Sequence, residues 1–174
     1  MNTNAPTVPA QASPSVIPAE YNKLVATAQL REIRLVKSEF SLDAEALGAE
    51  QASWKHVHSC EIQQSHYDSD DDLLVAWVNA EASCIKKRKK IVSAKCRYLI
   101  IYHVDGKPDD AIVNAFAKRV ARFAAYPYFR THFAELASQA GLFLPPLPII
   151  KERKILPSEE RKQLTPTEGE NVIE

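Results

Sequence analysis

The chain has 174 residues, which is enough for one domain built around a single hydrophobic core. Its 22 basic and 22 acidic side chains give a formal net charge of zero, which argues against a generally basic nucleic-acid binder and against a protein held at a membrane by net charge. Hydrophobic residues make up 45% of the chain and charged residues 25%, as in folded globular proteins, and this composition argues against global disorder.

The three cysteines, Cys60, Cys84 and Cys96, are odd in number and form no C-x-x-C pair, so we expect reduced thiols rather than a disulfide framework. The segment before Glu20, the first charged residue, lacks the basic start and the apolar stretch of a signal peptide. No run approaches the roughly 18 apolar residues of a membrane helix. These features predict a cytoplasmic protein without membrane insertion.

Proline divides the chain, because none occurs between Pro18 and Pro108. A long proline-free stretch rich in Val, Ile, Tyr and Trp is typical of an antiparallel sheet, since proline removes a hydrogen-bond donor from a central strand. Residues 1–18 are predicted to be a flexible arm rich in Pro, Ala, Ser and Thr, and residues 151–174 a charged flexible tail. Residues 19–150 are predicted to form one domain.

Apolar spacing predicts a short amphipathic helix over residues 19–28, followed by four strands. The strands are predicted near 30–42, near 53–66, from 73 to the basic turn, and near 91–104. In the third strand Leu73, Val75 and Trp77 share one face, and the residues between them are apolar too. A strand that is apolar on both sides is typical of burial on both faces, which in so short a chain indicates an oligomer.

After the fourth strand the apolar period becomes helical. Four large side chains recur along a first helix and are predicted to form its packing or assembly face: Ile112, Phe116, Val120 and Phe123. A second helix is predicted to start around Pro127 and to end at Gly141. Four strands followed by two helices, without alternating β and α units, predict an α+β fold with a four-stranded antiparallel sheet and both helices on one face.

The best candidate for a metal site is His56, His58 and Cys60, because alternation points all three to one face of a strand and all three can ligate zinc. No second cluster at ligand spacing accompanies them, so we interpret them as ordinary strand positions and predict no metal. Ser, Thr and Cys occur without a G-x-S-x-G motif, and the four glycines form no phosphate-binding loop. We therefore predict no catalytic residue, no cofactor and no enzyme.

The strongest local charge is the basic turn Lys86-Lys87-Arg88-Lys89-Lys90, which lies at the opposite end of the third strand from the acidic turn 68–72. Such a turn could contact phosphates or an acidic protein, so a nucleic-acid-binding or adaptor module is the alternative function. The turn is flanked by isoleucines and lacks the interleaved aromatics of base-stacking platforms. We therefore favour a solvated hairpin turn and do not expect nucleic acid as a partner.

Apolar residues also occur outside the predicted helices and strands, after the last helix: Leu142, Phe143, Leu144, Leu147, Ile149 and Ile150. Pro145, Pro146 and Pro148 interrupt them, so the segment cannot form a helix and is excluded from a central strand. It must fold back over the core or bind something, and both interpretations stay open. Leu47 and Trp54 add apolar groups in and just after the connection between the first two strands.

Several local phrases resemble SecB, the bacterial protein-export chaperone family. Tyr126-Pro127-Tyr128-Phe129-Arg130 is similar to the family's F-P-Y-A-R-E phrase at the start of the last helix, with Thr131 where the family usually has an acid. Gly141 and the following proline-leucine segment resemble the family's glycine and proline-rich stretch. Residues 33–42, IRLVKSEFSL, are similar to the family's first strand. The resemblance covers about residues 20–150.

This resemblance implies a homo-oligomer, assembled as a dimer of dimers, that binds unfolded apolar polypeptide segments in a surface groove without ATP. By position it implies seven residues of the client groove, of which Leu47 and Trp54 are extrapolated beyond the motif matches: Phe40, Leu42, Leu47, Trp54, Phe143, Leu144 and Leu147. Burial of apolar client side chains, worth about 25 cal/mol per Å², and hydrogen bonds at sheet edges would hold an extended chain by many weak contacts.

The chain also departs from the SecB pattern. In the family the SecA motor docks through a charge-matched contact on an acidic sheet face, whereas this chain is neutral and carries the basic turn, which disfavours SecA as a partner. The helix before the first strand and the long charged tail look more like divergent SecB-like chaperones, some of which protect an antitoxin of a toxin–antitoxin system. A dedicated client of that kind is as consistent with the sequence as general export.

Overall fold

The computed structural model describes residues 18–44 and 53–151. Three sequence predictions lie outside this range: residues 1–17 of the arm, residues 152–174 of the tail, and the position of Leu47. The short helix predicted before the first strand is present as α1, Pro18–Thr27.

Four strands form one antiparallel sheet, as predicted. They are β1 Gln29–Leu42, β2 Lys55–Asp68, β3 Leu73–Lys86 and β4 Lys89–His103. The order across the sheet is β1-β4-β3-β2, so the first two strands lie at opposite edges.

Strict alternation explains the burial of the two central strands. Leu74, Ala76 and Val78 of β3 are fully buried, and Tyr98 and Ile100 of β4 lie beside them on the same face. The opposite residues of β3, including Val75 and Trp77, are only half-buried, because the helices cover one face of the sheet. Within the described chain, β3 is therefore closed on one side and partly open on the other.

Two helical segments follow the sheet, as predicted, but no loop separates them. A π-helical turn, Ala117–Ala121, joins α2, Asp110–Phe116, to α3, Arg122–Gln139. The predicted break at Pro127 is wrong: this proline lies inside α3. Proline cannot bond to the carbonyl four residues earlier, but the buried residues Tyr126 and Phe129 hold the helix against the sheet, so tertiary packing overrides the local signal.

Gly141 ends α3 in the predicted manner. Its φ of 72° lies in the left-handed region that glycine adopts without steric cost. The amide of Leu142 donates to the carbonyl of Ala137 at 2.9 Å, and the amide of Gly141 donates to that of Ser138 at 3.0 Å, which is a Schellman ending. Leu142, just beyond the ending, is buried and starts the return of the chain along α3.

The helices lie mainly over β2, β3 and β4. On β1, Leu30 and Leu35 pair with Tyr102 and Tyr98 of β4, so they point to the helix-covered face of the sheet. They are nevertheless 47% and 40% exposed, because the helices of the described ranges do not reach fully across this edge. The edge strand β1 thus carries an apolar stripe that the protein's own helices leave open.

Candidate functional site

The segment after α3 is tied to that helix by two side chains. Tyr126 Oη donates a hydrogen bond of 2.6 Å to the carbonyl of Pro148, and Arg130 Nε donates one of 2.8 Å to the carbonyl of Leu147. Tyr126 and Arg130 are four residues apart and so lie on one face of the helix. Two consecutive carbonyls of a proline-rich segment are thereby satisfied, and its extended path is fixed.

Within this segment, neighbouring side chains point in different directions. Leu142 and Leu147 are buried, Leu144 is partly buried, and Phe143 is 91% exposed. The sequence left open whether the segment covers the core or binds something. In the structure Leu142 and Leu147 pack in the core, and the Phe143 side chain is exposed. Phe143 is the most exposed large apolar side chain of the segment, ahead of Ile149.

A cleft of about 710 Å³ lies between α3 and this segment, and we call it the α3 cleft. Its walls combine apolar and polar groups, among them Pro127, Arg130, Ala134, Pro146 and Leu147. The volume falls in the range of protein cavities that enclose small ligands or a few side chains. The structure therefore brings Leu147 of the predicted groove to a real concavity and places Phe143 in the segment that borders it.

The other predicted groove residues lie elsewhere. Phe40 and Leu42 are partly buried on β1, on the helix-covered face, and are not among the residues that line the α3 cleft. Trp54 is 5% exposed and packs in the core just before β2. Its indole Nε1 is buried and has no hydrogen-bond partner in the described part of the chain.

The residues predicted as a packing or assembly face divide into two pairs. Ile112 and Phe116 are buried, and the Phe116 ring meets the Tyr102 ring edge to face at 5.0 Å. Val120 is partly buried, and Phe123 is partly exposed beneath the guanidinium of its neighbour Arg122 at 5.0 Å. The first pair therefore packs against the chain's own sheet.

His56, His58 and Cys60 share the helix-covered face, as alternation predicted, and each has a protein neighbour. The His58 ring lies 5.9 Å from that of Tyr126, and Cys60 Sγ lies 3.7 Å from the carbonyl of Arg122. Burial raises the pKa of the Cys60 thiol to about 12, which favours the neutral thiol. Among residues 18–44 and 53–151, no three His, Cys, Asp or Glu side chains are arranged to hold a metal ion.

The basic turn forms the tip of the β3–β4 hairpin, at the opposite end of β3 from the acidic turn. Lys87 and Arg88 have φ values of 46° and 71°, the left-handed pair of a type I′ turn. Lys89 pairs with Asp43 at 2.6 Å across the end of β1. The turn thus closes the β3–β4 hairpin, and Lys89 also links β4 to the end of β1.

Sequence reasoning missed the role of Tyr126 and Arg130. Both belong to the phrase that carries the resemblance to SecB, and their spacing of four residues indicates a shared helix face. What the sequence lacks is any sign of their partners, because both acceptors are backbone carbonyls, which every residue has. Only the return of the chain along α3 brings these groups together.

Together, the strand order β1-β4-β3-β2 and the helices on one face of the sheet define a SecB-like fold class. Among solved structures, this chain is similar to the Mycobacterium tuberculosis SecB-like chaperone Rv1957 in complex with a ChAD peptide from the Rv1956 HigA1 antitoxin. The TM-score is 0.63 at 20% identity, and the match covers 76% of this chain and 96% of the other. The chain therefore has a divergent SecB-like fold.

Another matching structure is that of a protein of unknown function from Streptococcus agalactiae. Its TM-score is 0.31 at 9% identity, and the match covers 72% of this chain and 97% of the other. Comparisons with models of protein families and with curated protein sequences find no match. No helix in the described ranges is both long and apolar enough to cross a membrane.

Proposed function

We propose that this protein is a cytoplasmic, ATP-independent chaperone that binds unfolded, apolar polypeptide segments and has no catalytic activity or cofactor. The observation that carries the proposal is the exposed Phe143 on the segment that Tyr126 and Arg130 fix beside the α3 cleft. Covering an exposed aromatic ring with an apolar client side chain lowers the free energy, because it removes apolar surface from water. Because the segment is already ordered, binding there costs little conformational entropy.

The proposed client groove comprises the seven residues that the SecB resemblance implies. The α3 cleft and Phe143 would form its center, with Leu144 and Leu147 as the apolar wall. Phe40 and Leu42 on β1 and Trp54 just before β2 would join it. For Trp54 this requires the surface to open, because its ring is now buried.

We further propose a homo-oligomer, assembled as a dimer of dimers. The support is the open apolar stripe on β1, where Leu30 and Leu35 are 47% and 40% exposed on an edge strand. An exposed, partly apolar sheet edge is a site for pairing with another chain. A second copy that covers this stripe would bury it and would also extend the sheet.

General unfolded clients and one dedicated client are both compatible with such a groove. The SecB-like neighbour binds a peptide from an antitoxin, and a dedicated client of that class is our second candidate. SecA is not favoured as a partner, because the uncovered face of the sheet is not uniformly acidic. The uncovered face of the sheet carries basic and acidic groups side by side, for example Lys37 with Glu39 at 2.6 Å and Lys95 with Glu81 at 4.0 Å.

The test is to dilute an unfolded, aggregation-prone client into buffer without ATP and to follow light scattering at rising amounts of this protein. We expect suppression that saturates near one oligomer per client. Phe143→Ala should weaken suppression, because it removes apolar contact area without disturbing the core. Val57→Ala, at a 44% exposed position on the uncovered sheet face, is the matched control and should leave suppression unchanged.

Two results would contradict the proposal. One is the absence of suppression for both general clients and an antitoxin peptide. The other is equal loss of suppression in Phe143→Ala and Val57→Ala, since that would separate the activity from the segment after α3.

A further inference from the structure

A second cleft, of about 750 Å³, lies next to β2 and is lined by the end of the segment after α3. One wall is residues 58–61 of β2, another is the π-helical turn and the start of α3, and the third is residues 148–151. We call it the cationic cleft because four basic side chains line it: Lys118, Arg119, Arg122 and Lys151.

Among the described residues that line this cleft, basic side chains outnumber carboxylates, although the whole chain has no formal net charge. Glu61 is the one carboxylate among the described residues that line it, against four cations. Lys118 and Lys151 are exposed. Arg119 lies over the Tyr21 ring at 5.7 Å, which holds this guanidinium in place by a cation–π contact. Within a partly enclosed space, such a group of like charges attracts anions more strongly than it would on open surface.

Arg122 adds an unsatisfied donor. Its Nε is buried and has no hydrogen-bond partner in the described part of the chain. A buried donor without a partner is costly. The Arg122 side chain also lines the cleft, and a carboxylate is the group that a guanidinium binds most strongly. The π-helical turn brings this arginine and Lys118 to one wall, and turns of this kind are often found at functional sites.

The shape of the site favours an extended chain over a small anion. Four consecutive residues of β2, 58–61, form one wall, and β2 is the outer strand of the sheet. Edge strands offer backbone N–H and C=O groups that an added peptide strand can pair with. Residues 148–151, which are tied to α3 through Tyr126, run along the opposite wall.

We propose that the cationic cleft binds an extended polypeptide segment that carries acidic side chains, so that this protein selects clients in which an apolar stretch is flanked by Asp or Glu. This inference rests on the proposed chaperone function and adds a specificity to it. The apolar part of the client would cover Phe143 and the α3 cleft, while its carboxylates would pair with Lys118 and Arg122.

The test uses three labelled peptides that share one apolar stretch and differ only in flanking residues, which are Glu, Gln or Lys. Their affinities for the full-length protein are measured by fluorescence anisotropy at low and high ionic strength. At low ionic strength we expect the Glu peptide to bind about tenfold tighter than the Gln peptide and the Lys peptide to bind weakest, and we expect salt to reduce the differences.

The matched variants are Lys118→Glu with Lys151→Glu in the cleft, and Lys87→Glu with Arg88→Glu at the hairpin tip. All four positions are exposed, so both double variants should fold, and both lower the net charge by the same amount. The cleft variant should lose the preference for Glu and keep its affinity for the Gln peptide. The hairpin variant should keep the preference.

Equal affinity of wild-type protein for the three peptides would overturn this inference and leave the chaperone proposal standing. Failure of all three peptides to bind would remove both. A single-stranded oligonucleotide that binds tighter than the Glu peptide, and is lost in the cleft variant, would overturn the assignment to polypeptide and favour nucleic acid.

Discussion

Tyr126 Oη donates a hydrogen bond of 2.6 Å to the carbonyl of Pro148, across 22 positions of the chain. The bond joins the middle of the last helix to the segment that follows it, and Tyr126 itself is 2% exposed. Because proline has no N–H, the carbonyls of this segment are its principal means of backbone attachment. The bond therefore decides where the exposed Phe143 and the two clefts sit.

Removal of this hydroxyl should loosen the segment. Tyr126→Phe leaves the carbonyl of Pro148 without its partner and should lower the free energy of unfolding by about 1 kcal/mol. Amide exchange at Ile149 and Ile150 should become faster in the same variant. Urea unfolding and hydrogen exchange check the two effects. Tyr128→Phe, at a 54% exposed position, is the control, and a comparable effect there would show that the hydroxyl of Tyr126 is not special.

The β3–β4 hairpin turn should become more stable when its strained residues are replaced. Lys87 and Arg88 occupy left-handed conformations that Asn and Gly adopt at lower cost. Lys87→Asn with Arg88→Gly should raise the free energy of unfolding by about 1 kcal/mol, as measured in urea. Lys90→Asn, outside the two left-handed positions, should not stabilise. If the double variant were less stable than the wild type, the prediction would be wrong, because the side chains of Lys87 and Arg88 would then stabilise the fold by more than their backbone strain costs.

The buried thiols should make the protein sensitive to alkali. Burial raises the pKa of Cys60 to about 12 and that of Cys84 to about 11, so the folded protein keeps protons that the unfolded chain loses first. Their contribution to stability is fully present below the unfolded pKa, near pH 9, and is lost as the pH rises toward about pH 12.

The urea concentration at the midpoint of unfolding should therefore decrease as the pH rises from about pH 8 to about pH 10. Cys60→Ala should show a smaller fall, because one of the thiols that ionises on unfolding is absent. An identical dependence on pH in wild type and variant would rule out Cys60 as a contributor. A thiol reagent at about pH 8 should react slowly with the folded protein and rapidly in urea.

The apolar stripe on β1 should be required for assembly. Leu30→Glu with Leu35→Glu places two carboxylates on the stripe and should shift the protein toward monomer, because unpaired charges in an interface are costly. Light scattering coupled to size-exclusion chromatography measures the mass. Val57→Glu, on the outer strand β2 and similarly exposed, should leave the mass unchanged. A monomeric wild type, or a variant of unchanged mass, would contradict assembly through β1.

Local patterns in the sequence were sufficient for most of the fold. Alternation identifies the two faces of β3, but both are apolar in the sequence, so it did not show which one the helices cover. Gly141 marks the end of α3, because the left-handed ending is open to glycine at low cost. Pro127 misled the prediction, since a local signal for a helix start does not include the packing of Tyr126 and Phe129.

The candidate sites depend on tertiary contacts that the sequence does not predict. By itself the sequence determined the α+β order and the presence of apolar residues among prolines after α3, because each of these depends on residues that are close in the chain. Only the tertiary structure decided that Leu147 is buried while Phe143 is exposed, and that Lys118 and Lys151 share one cleft. Both outcomes depend on the path of the returning segment, which hydrogen bonds to backbone carbonyls fix, and a carbonyl carries no mark in the sequence.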